Sequence, residues 1–329
     1  MMKKIINQPD QVLADMLKGY KLVHDDVFYL EETHVITRSH FTSKKVGIIS
    51  GGGSGHEPAH AGFVGEGMLD AAVCGHVFTS PTPDQVLSAI QVADQGAGVF
   101  LVIKNYSGDC MNFDMAKELA ELEGIPVDFV IVNDDVAVFD SSYTEGRRGV
   151  AGTILVHKIV GAAAENGASL EEIKKLAESV VAHLASVGVA IKPSIVPEIG
   201  KPGFELEEDE MEFGIGIHGE PGYSREKIKP SREIAEELIH KIEVETNWTT
   251  DQTLAVLING MGATPLMEQY IFAHDCLTIL QEKGYTVQFK KVGNYMTAID
   301  MAGVSLTLLQ LEDEKWLDYL TQSTLAPAW

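Results

Sequence analysis

Three short runs, at 45–50, 98–104 and 127–132, are β-branched and apolar on both alternating faces. A strand with one face in water alternates apolar and polar residues, so runs like these suit parallel strands covered by helices on both sides. Helix-like text separates them. One segment spans 83–95, opened by Ser80-Pro81-Thr82-Pro83, and another spans 113–122, closed by Gly124. The Ala-rich stretch 149–166 reads as a buried helix, and 169–187 as an amphipathic helix with Ser169 as N-cap and Glu172 three residues on. The alternation predicts an α/β fold whose first domain is a three-layer α/β/α parallel-sheet domain.

At 329 residues the chain is too long for one ordinary core, and two domains are expected. Text after Gly188 becomes loop-like over 193–230, with the acidic run Glu207-Glu208-Asp209-Glu210. A new pattern follows: helix 231–245, strand 253–259, helix 265–283, then strands 286–291 and 305–310. The expected division is 1–188 for a substrate-pocket domain and 189–329 for a second α/β domain with a mixed sheet.

Lys and Arg number 25 against 48 Asp and Glu, a formal net charge of −23. That charge repels a phosphate backbone and an anionic lipid surface alike, so no direct nucleic acid and no membrane partner is expected. No apolar run approaches the roughly 18–20 residues of a bilayer span, and the N-terminal text lacks the apolar stretch of a signal peptide. The three cysteines, Cys74, Cys110 and Cys276, form no CxxC pair and read as reduced thiols of a cytoplasmic protein. The histidines are read as forming neither an HxH nor an HExxH pair, and no metal is expected.

The densest feature is Ser50-Gly51-Gly52-Gly53-Ser54-Gly55-His56-Glu57-Pro58, directly after the first strand. Glycines here let the backbone approach a ligand, or simply make a tight strand-to-helix turn. The motif is not GxGxxG, because His56 stands where a glycine is required, and no Gly-Lys-Ser/Thr follows to make a P-loop. An imidazole at the end of such a loop suits hydrogen bonding or proton transfer. Ligands of open α/β sheets bind beyond the carboxyl ends of strands. The run Lys104-Asn105-Tyr106-Ser107-Gly108-Asp109 reaches that same edge, so Asp109 is either an acid/base partner of His56 or a cap. Residues 75–83 add hydroxyls, Ser80 among them. Asn133-Asp134-Asp135 reads as a solvated turn. A second glycine-bracketed histidine, His218, lies in 211–222, read as a strand with close backbone approach ending in Gly-Glu-Pro-Gly.

The blocks GGGSGHEP (51–58), FTSPTPD (78–84), KNYSGD (104–109), GRRGVAGT (146–153), EMEFGIGIHGEPG (210–222) and MGATPL (261–266) resemble, in order and over the whole chain, the dihydroxyacetone-binding subunit of bacterial phosphoenolpyruvate-dependent dihydroxyacetone kinase. The resemblance implies that the substrate ketone is captured as a hemiaminal on the tele nitrogen of His218. It implies hydrogen-bonding and acid/base roles for His56 and Asp109, with Gly53, Ser54, Gly55, Ser80 and Lys104 completing the pocket. It implies that this chain binds no cofactor. ADP or ATP with Mg would come on a nucleotide-binding kinase subunit recharged from phosphoenolpyruvate, and this chain would be a homodimer. Two positions depart from the pattern: His76, where the kinase subunits carry an acid, and Cys110, where they carry an aliphatic residue. The resemblance therefore extends to a non-phosphorylating paralogue that senses dihydroxyacetone and acts as an operon coactivator through a TetR-type regulator. A lipid- or metabolite-binding protein on a similar scaffold is a third class, and it would have no use for His218 in its glycine setting.

Overall fold

The computed structural model of the chain describes residues 3–41, 44–139, 144–250 and 252–329. The first sheet contains β1 (Val27–Leu30), β2 (Val35–Arg38), β3 (Gly47–Ser54), β4 (Ala71–Val77), β5 (Val99–Lys104) and β6 (Val127–Val132). Their spatial order is β1-β2-β4-β3-β5-β6. The four strands from β4 to β6 are parallel, while β1 and β2 run antiparallel along one edge. The sheet is therefore mixed, where a parallel one was expected. Its expected strands 98–104 and 127–132 are present, but β6 is an edge strand with Ile131 exposed. Helix α1 (Val12–Val23) precedes the sheet, and α2 (Pro83–Ala93) and α3 (Ser107–Leu122) connect its strands. On their side of the sheet, Val86 and Ile90 of α2 and Phe113 and Ala116 of α3 pack on Ile49, Val73 and Leu101.

Helix α4 (Thr153–Glu165) is buried from Thr153 through Ala164, which explains an apolar text without an amphipathic face. It lies between the first sheet and a second one, and α5 (Leu170–Ala182) packs beside it. One continuous core joins Ile48, Phe100 and Val102 of the first sheet, Ile154, Leu155 and Ile159 of α4, and Ala255, Leu257 and Leu309 of the second sheet. The N-terminus of α5 has a reciprocal capping box: Ser169 N donates to the Glu172 carboxylate at 2.8 Å, and Glu172 N donates to Ser169 Oγ at 3.3 Å.

The second sheet contains β7 (Leu184–Lys192), β8 (Glu210–Phe213), β9 (Ser224–Lys227), β10 (Thr253–Gly260), β11 (Thr286–Gly293) and β12 (Ala302–Gln310). Its order is β11-β10-β12-β7-β8-β9, with only the β10/β11 pair parallel. Helices α6 (Ser231–Thr246) and α7 (Leu266–Lys283) cover its outer face through Leu238, Ile242, Phe272 and Cys276, and α8 (Glu314–Thr321) closes the chain against α4. The layers run from α2/α3 through the first sheet, α4/α5 and the second sheet to α6/α7.

Four local expectations are corrected. The helix expected over 169–187 stops at Ala182, because Val187 and Val189 enter a central strand zipped to β12 from Leu184↔Leu309 onward, and pairing outweighs helical spacing. Residue 188 therefore lies inside β7. Helix α3 starts at Ser107, six residues before 113. Its first turn is polar and shows no apolar period, and it places Asp109 where a helix N-terminus favours a carboxylate. The strand expected from 211 to the Gly-Glu-Pro-Gly turn, with His218 in it, ends at Phe213, where Gly214 turns to φ +75°. Asp134 and Asp135 are buried, not solvated. Asp134 accepts from Val150 N and Gly152 N, both at 2.8 Å, and caps the approach to α4.

Candidate active site

The carboxyl ends of β3, β4 and β5 meet where 194–220 folds back across them. They enclose a cleft of about 630 Å³ lined by Gly53, Phe78, Ser80, Tyr106, Asp109 and His218, among others. The glycines of β3 are required by close packing. Gly52 has φ +150°, and a Cβ there would collide with Lys104 Nζ and stand 3.3 Å from Asp109 Oδ2. Lys104 is buried behind the cleft, 3.2 Å from Asp109 Oδ2, and it also donates to Gly51 O at 3.2 Å. The other Asp109 oxygen accepts from Ser80 Oγ at 2.5 Å.

Two histidines from distant parts of the chain meet, with His56 Nε2 3.1 Å from His218 Nε2. His56 is fully buried and stacks on Phe78 at 5.0 Å. Its Nδ1 lies 2.7 Å from the Thr297 carbonyl, which can only accept, so that nitrogen carries the hydrogen. Backbone bonds from Thr297 N to His56 O and from Ile299 N to Gly55 O tie this loop to the second half of the chain. Burial first, then the charges of His218 and Lys104, push the His56 imidazole well below its ordinary value, against the effect of the Thr297 bond.

His218 sits in the loop after β8, between the edge of Tyr106 at 4.6 Å and Phe78 at 5.1 Å. Its Nδ1 lies 3.0 Å from Glu220 Oε1, and its backbone N donates to Glu220 Oε2 at 2.9 Å. Burial pushes the Glu220 carboxyl up, but the His218 hydrogen bond, the His218 charge and the Arg148 charge outweigh it and bring it to about 2. An ionised carboxylate only accepts, so His218 Nδ1 also carries a hydrogen. Two neutral imidazoles in this arrangement would oppose lone pairs across 3.1 Å. The contact is a hydrogen bond only when one further proton lies between the two Nε2 atoms.

The expected site residues divide into three groups. Gly53, Ser80, Asp109 and His218 line the cleft, and His56 and Lys104 support it from behind. Ser54 and Gly55 do not line it: Ser54 Oγ donates to Gly75 O at 2.7 Å, and both residues border a separate small cavity with Glu57 and Ile299. His76 is exposed and faces His34, with ring centroids 6.4 Å apart, and Cys110 Sγ turns to Asn105 Oδ1 at 3.6 Å, so neither departure reaches the cleft lining. Phe78, Tyr106, Glu220, Arg148 and Thr297 were not anticipated. Glu220 was in view, but as part of a turn.

The reading that no HExxH pair exists is corrected: His56-Glu57-Pro58-Ala59-His60 has that spacing, which binds zinc when a helix puts both histidines on one face. No α-helix forms there, and the two rings diverge, His56 to His218 and His60 Nδ1 to His157 Nε2 at 3.0 Å. Among the described residues no His, Cys, Asp and Glu cluster could hold a metal ion. Among the described residues no helix is long and apolar enough to cross a membrane.

The Dak1 domain family matches residues 18–328. This chain belongs to the Dak1 domain family. It is 58% identical over 329 residues to the dihydroxyacetone-binding subunit of the PTS-dependent dihydroxyacetone kinase 1 of Listeria innocua, covering 100% of both chains. It is 46% identical over 328 residues to the DhaKLM operon coactivator DhaQ of Lactococcus lactis, covering 99% of this chain and 100% of that protein. The solved structure of a dihydroxyacetone kinase operon co-activator superposes with a TM-score of 0.92 at 46% identity, over 98% of this chain and 99% of that one. The Listeria relative carries PTS dependence in its name, in place of the phosphoenolpyruvate dependence expected above. The Dak1 chain thus stands near both members of the pair that the resemblance joined.

Proposed function

We propose that this Dak1 chain captures dihydroxyacetone covalently on His218 and presents it for phosphorylation by a nucleotide-carrying partner subunit. The observation that carries the reading is the Nε2-to-Nε2 contact of His56 and His218 at 3.1 Å, with His218 on a cleft whose rim holds Asp109. On entry of the ketone, the shared proton passes to His56 Nε2 and frees the lone pair of His218 Nε2. That lone pair attacks the carbonyl carbon: an N–C bond forms, the C=O π bond breaks, and the oxygen takes the proton back from His56 Nε2. The positive charge begins as the proton shared by the two Nε2 atoms and passes through His56, whose burial makes it give the proton up again to the developing alkoxide. It ends on the alkylated His218 ring beside the Glu220 carboxylate, so the net charge of the site is unchanged by the step. A substrate without a carbonyl, such as glycerol, offers nothing to attack and is rejected chemically.

Asp109 then faces the captured molecule as the base for its terminal hydroxyl, with Ser80 and Lys104 fixing the carboxylate. Phosphoryl transfer needs positioning and charge neutralisation, and ADP or ATP with Mg on the partner would supply the latter. A homodimer in the cytoplasm belongs to the same reading.

The second reading, a dihydroxyacetone-sensing coactivator working through a TetR-type regulator, is supported by the 46% identity to a co-activator structure. The TM-score of 0.92 is the same for that structure and for a dihydroxyacetone kinase and does not separate the readings. Against it stand the 58% identity to a kinase subunit and the position of His76 and Cys110 away from the cleft lining. The deciding experiment pairs phosphorylation of dihydroxyacetone, using a nucleotide-binding kinase subunit, with a pull-down of a TetR-type regulator with and without dihydroxyacetone. We expect turnover without regulator binding. Dihydroxyacetone-dependent regulator binding without turnover would replace the kinase reading by the coactivator one.

A further inference from the structure

Arg148 is among the largest fully buried side chains, and the capture step does not use it directly. Its guanidinium spans the two sheets. Nε and Nη2 hold Asp135 Oδ2, just beyond β6, at 2.8 and 2.7 Å, and Nη2 also donates to Gly214 O, just beyond β8, at 2.7 Å. The remaining nitrogen, Nη1, is buried without a hydrogen-bond partner among the described residues. It points to the space over Gly216: a Cβ there would stand 2.7 Å from Arg148 Nη1 and would collide with Glu220 Oε2. A glycine at 216 thus leaves open the one place where the free face of the guanidinium and the Glu220 carboxylate converge. A bare buried cation edge next to a buried carboxylate is an electrostatic clamp even without direct contact, because a low-dielectric interior screens it poorly.

We propose that Arg148 is a positioning residue for substrate capture: it fixes the Glu220 carboxylate beneath the 214–220 loop, and through that carboxylate keeps the hydrogen on His218 Nδ1 and the reactive Nε2 toward the cleft. The inference rests on the capture chemistry above and names a residue outside the cleft lining. Asp135 holds the guanidinium in plane, the Gly214 carbonyl fixes the start of the loop, and Nη1 acts on Glu220. The fork is the functional part: with Nε and Nη2 held by Asp135 and Gly214, only a guanidinium leaves a second charged edge at Nη1 for Glu220, and it is Glu220, not Arg148, that touches the reacting ring.

The test is a double-mutant cycle on the full chain, read by dihydroxyacetone binding and by nitrogen-15 spectra of the His218 ring. R148K keeps a cation beside Asp135 but loses the fork, and E220Q removes the carboxylate charge. Each single change should weaken binding about 10–100-fold, by analogy with the loss of the outer partner that orients a metal-ligating histidine. R148K/E220Q should be no weaker than the worse single variant, and His218 in R148K should populate both neutral tautomers. Multiplying losses in the double variant, or an unchanged His218 tautomer in R148K, would overturn the proposal. If R148K does not fold, the Arg148 guanidinium resonances in the wild type and in E220Q decide: both dihydroxyacetone binding and E220Q must move them, and unmoved resonances overturn it. A wild-type protein that takes up no dihydroxyacetone refutes the function itself, whereas uptake indifferent to R148K refutes only the role of Arg148.

Discussion

At the scale of single residues, the site depends on absent side chains as much as on present ones. Gly52 leaves room for Lys104 Nζ beside Asp109 at a backbone φ of +150°. Gly52→Ala should displace the ammonium and release Asp109, lowering phosphorylation turnover about 10²–10⁴-fold, the usual worth of a positioned acid or base. A variant with wild-type turnover would show that Lys104 does not position Asp109. Asp109→Asn should lose a similar factor while leaving dihydroxyacetone binding within a fewfold of wild type, because His218 performs the capture. Equal losses in binding and turnover would merge the two roles. His56, Asp109 and His218 were legible in the sequence because glycine brackets mark backbone that approaches a ligand. Thr297 was not, because it contributes a carbonyl, and every residue has one. Arg148 was not, because arginine is almost never fully buried unless paired, and its partner Asp135 lies in what reads as a solvated turn.

At the scale of elements, α4 is the part that both sheets share, and its fit decides whether they register. Gly161 of α4 meets the backbone of Met68, with an added Cβ standing 2.5 Å from both Cα and O of that residue. Glycine in a helix costs about 1 kcal/mol relative to alanine, so propensity alone favours Gly161→Ala. Overpacking against backbone that cannot move costs about 1–3 kcal/mol, and here it wins. Gly161→Ala should therefore lower the denaturation midpoint, and a raised midpoint would mean that the 65–69 segment yields. The strands and helices recovered from sequence are those whose period is unbroken, such as α6, α7 and β10 to β12. The elements missed or cut wrongly include the short strands β1, β2, β8 and β9, the interior strands β4 and β7, and the polar first turn of α3, where pairing and capping carry the information and hydrophobic period does not. That polar turn hid the placement of Asp109 on a helix N-terminus.

At the scale of the molecule, the acidic charge coexists with an interior that holds neutral imidazoles. His60 and His157 face each other at 3.0 Å inside the shared core. Burial, and then nearby Lys104, pushes His157 down to about 3. In the unfolded chain it titrates near about 6.5, so between those values the unfolded state binds the extra proton and folding stability falls as pH falls. The size is up to about 1.4 kcal/mol per pH unit for one histidine. Asp134, Asp135 and Glu57, whose burial raises their carboxyls, act in the opposite sense, so the raw pH curve mixes both signs. The difference between wild type and His157→Gln isolates the histidine. Below about pH 6.5 the wild type should lose stability relative to the variant at up to that slope. Parallel stability curves would mean that His157 is protonated inside the fold.

The central claim is a bond between His218 and a ketone, and its most direct test is magnetic resonance on the intact protein. Dihydroxyacetone carrying carbon-13 at its carbonyl position is added to protein labelled with nitrogen-15 in histidine. The account predicts that the carbonyl carbon becomes tetrahedral on binding and shows a one-bond coupling to a single histidine nitrogen, Nε2 of His218. The coupled signal should be absent in His218→Ala and unaltered by an excess of glycerol. A bound carbon that keeps its ketone shift with no nitrogen coupling would contradict covalent capture, however tightly the molecule binds.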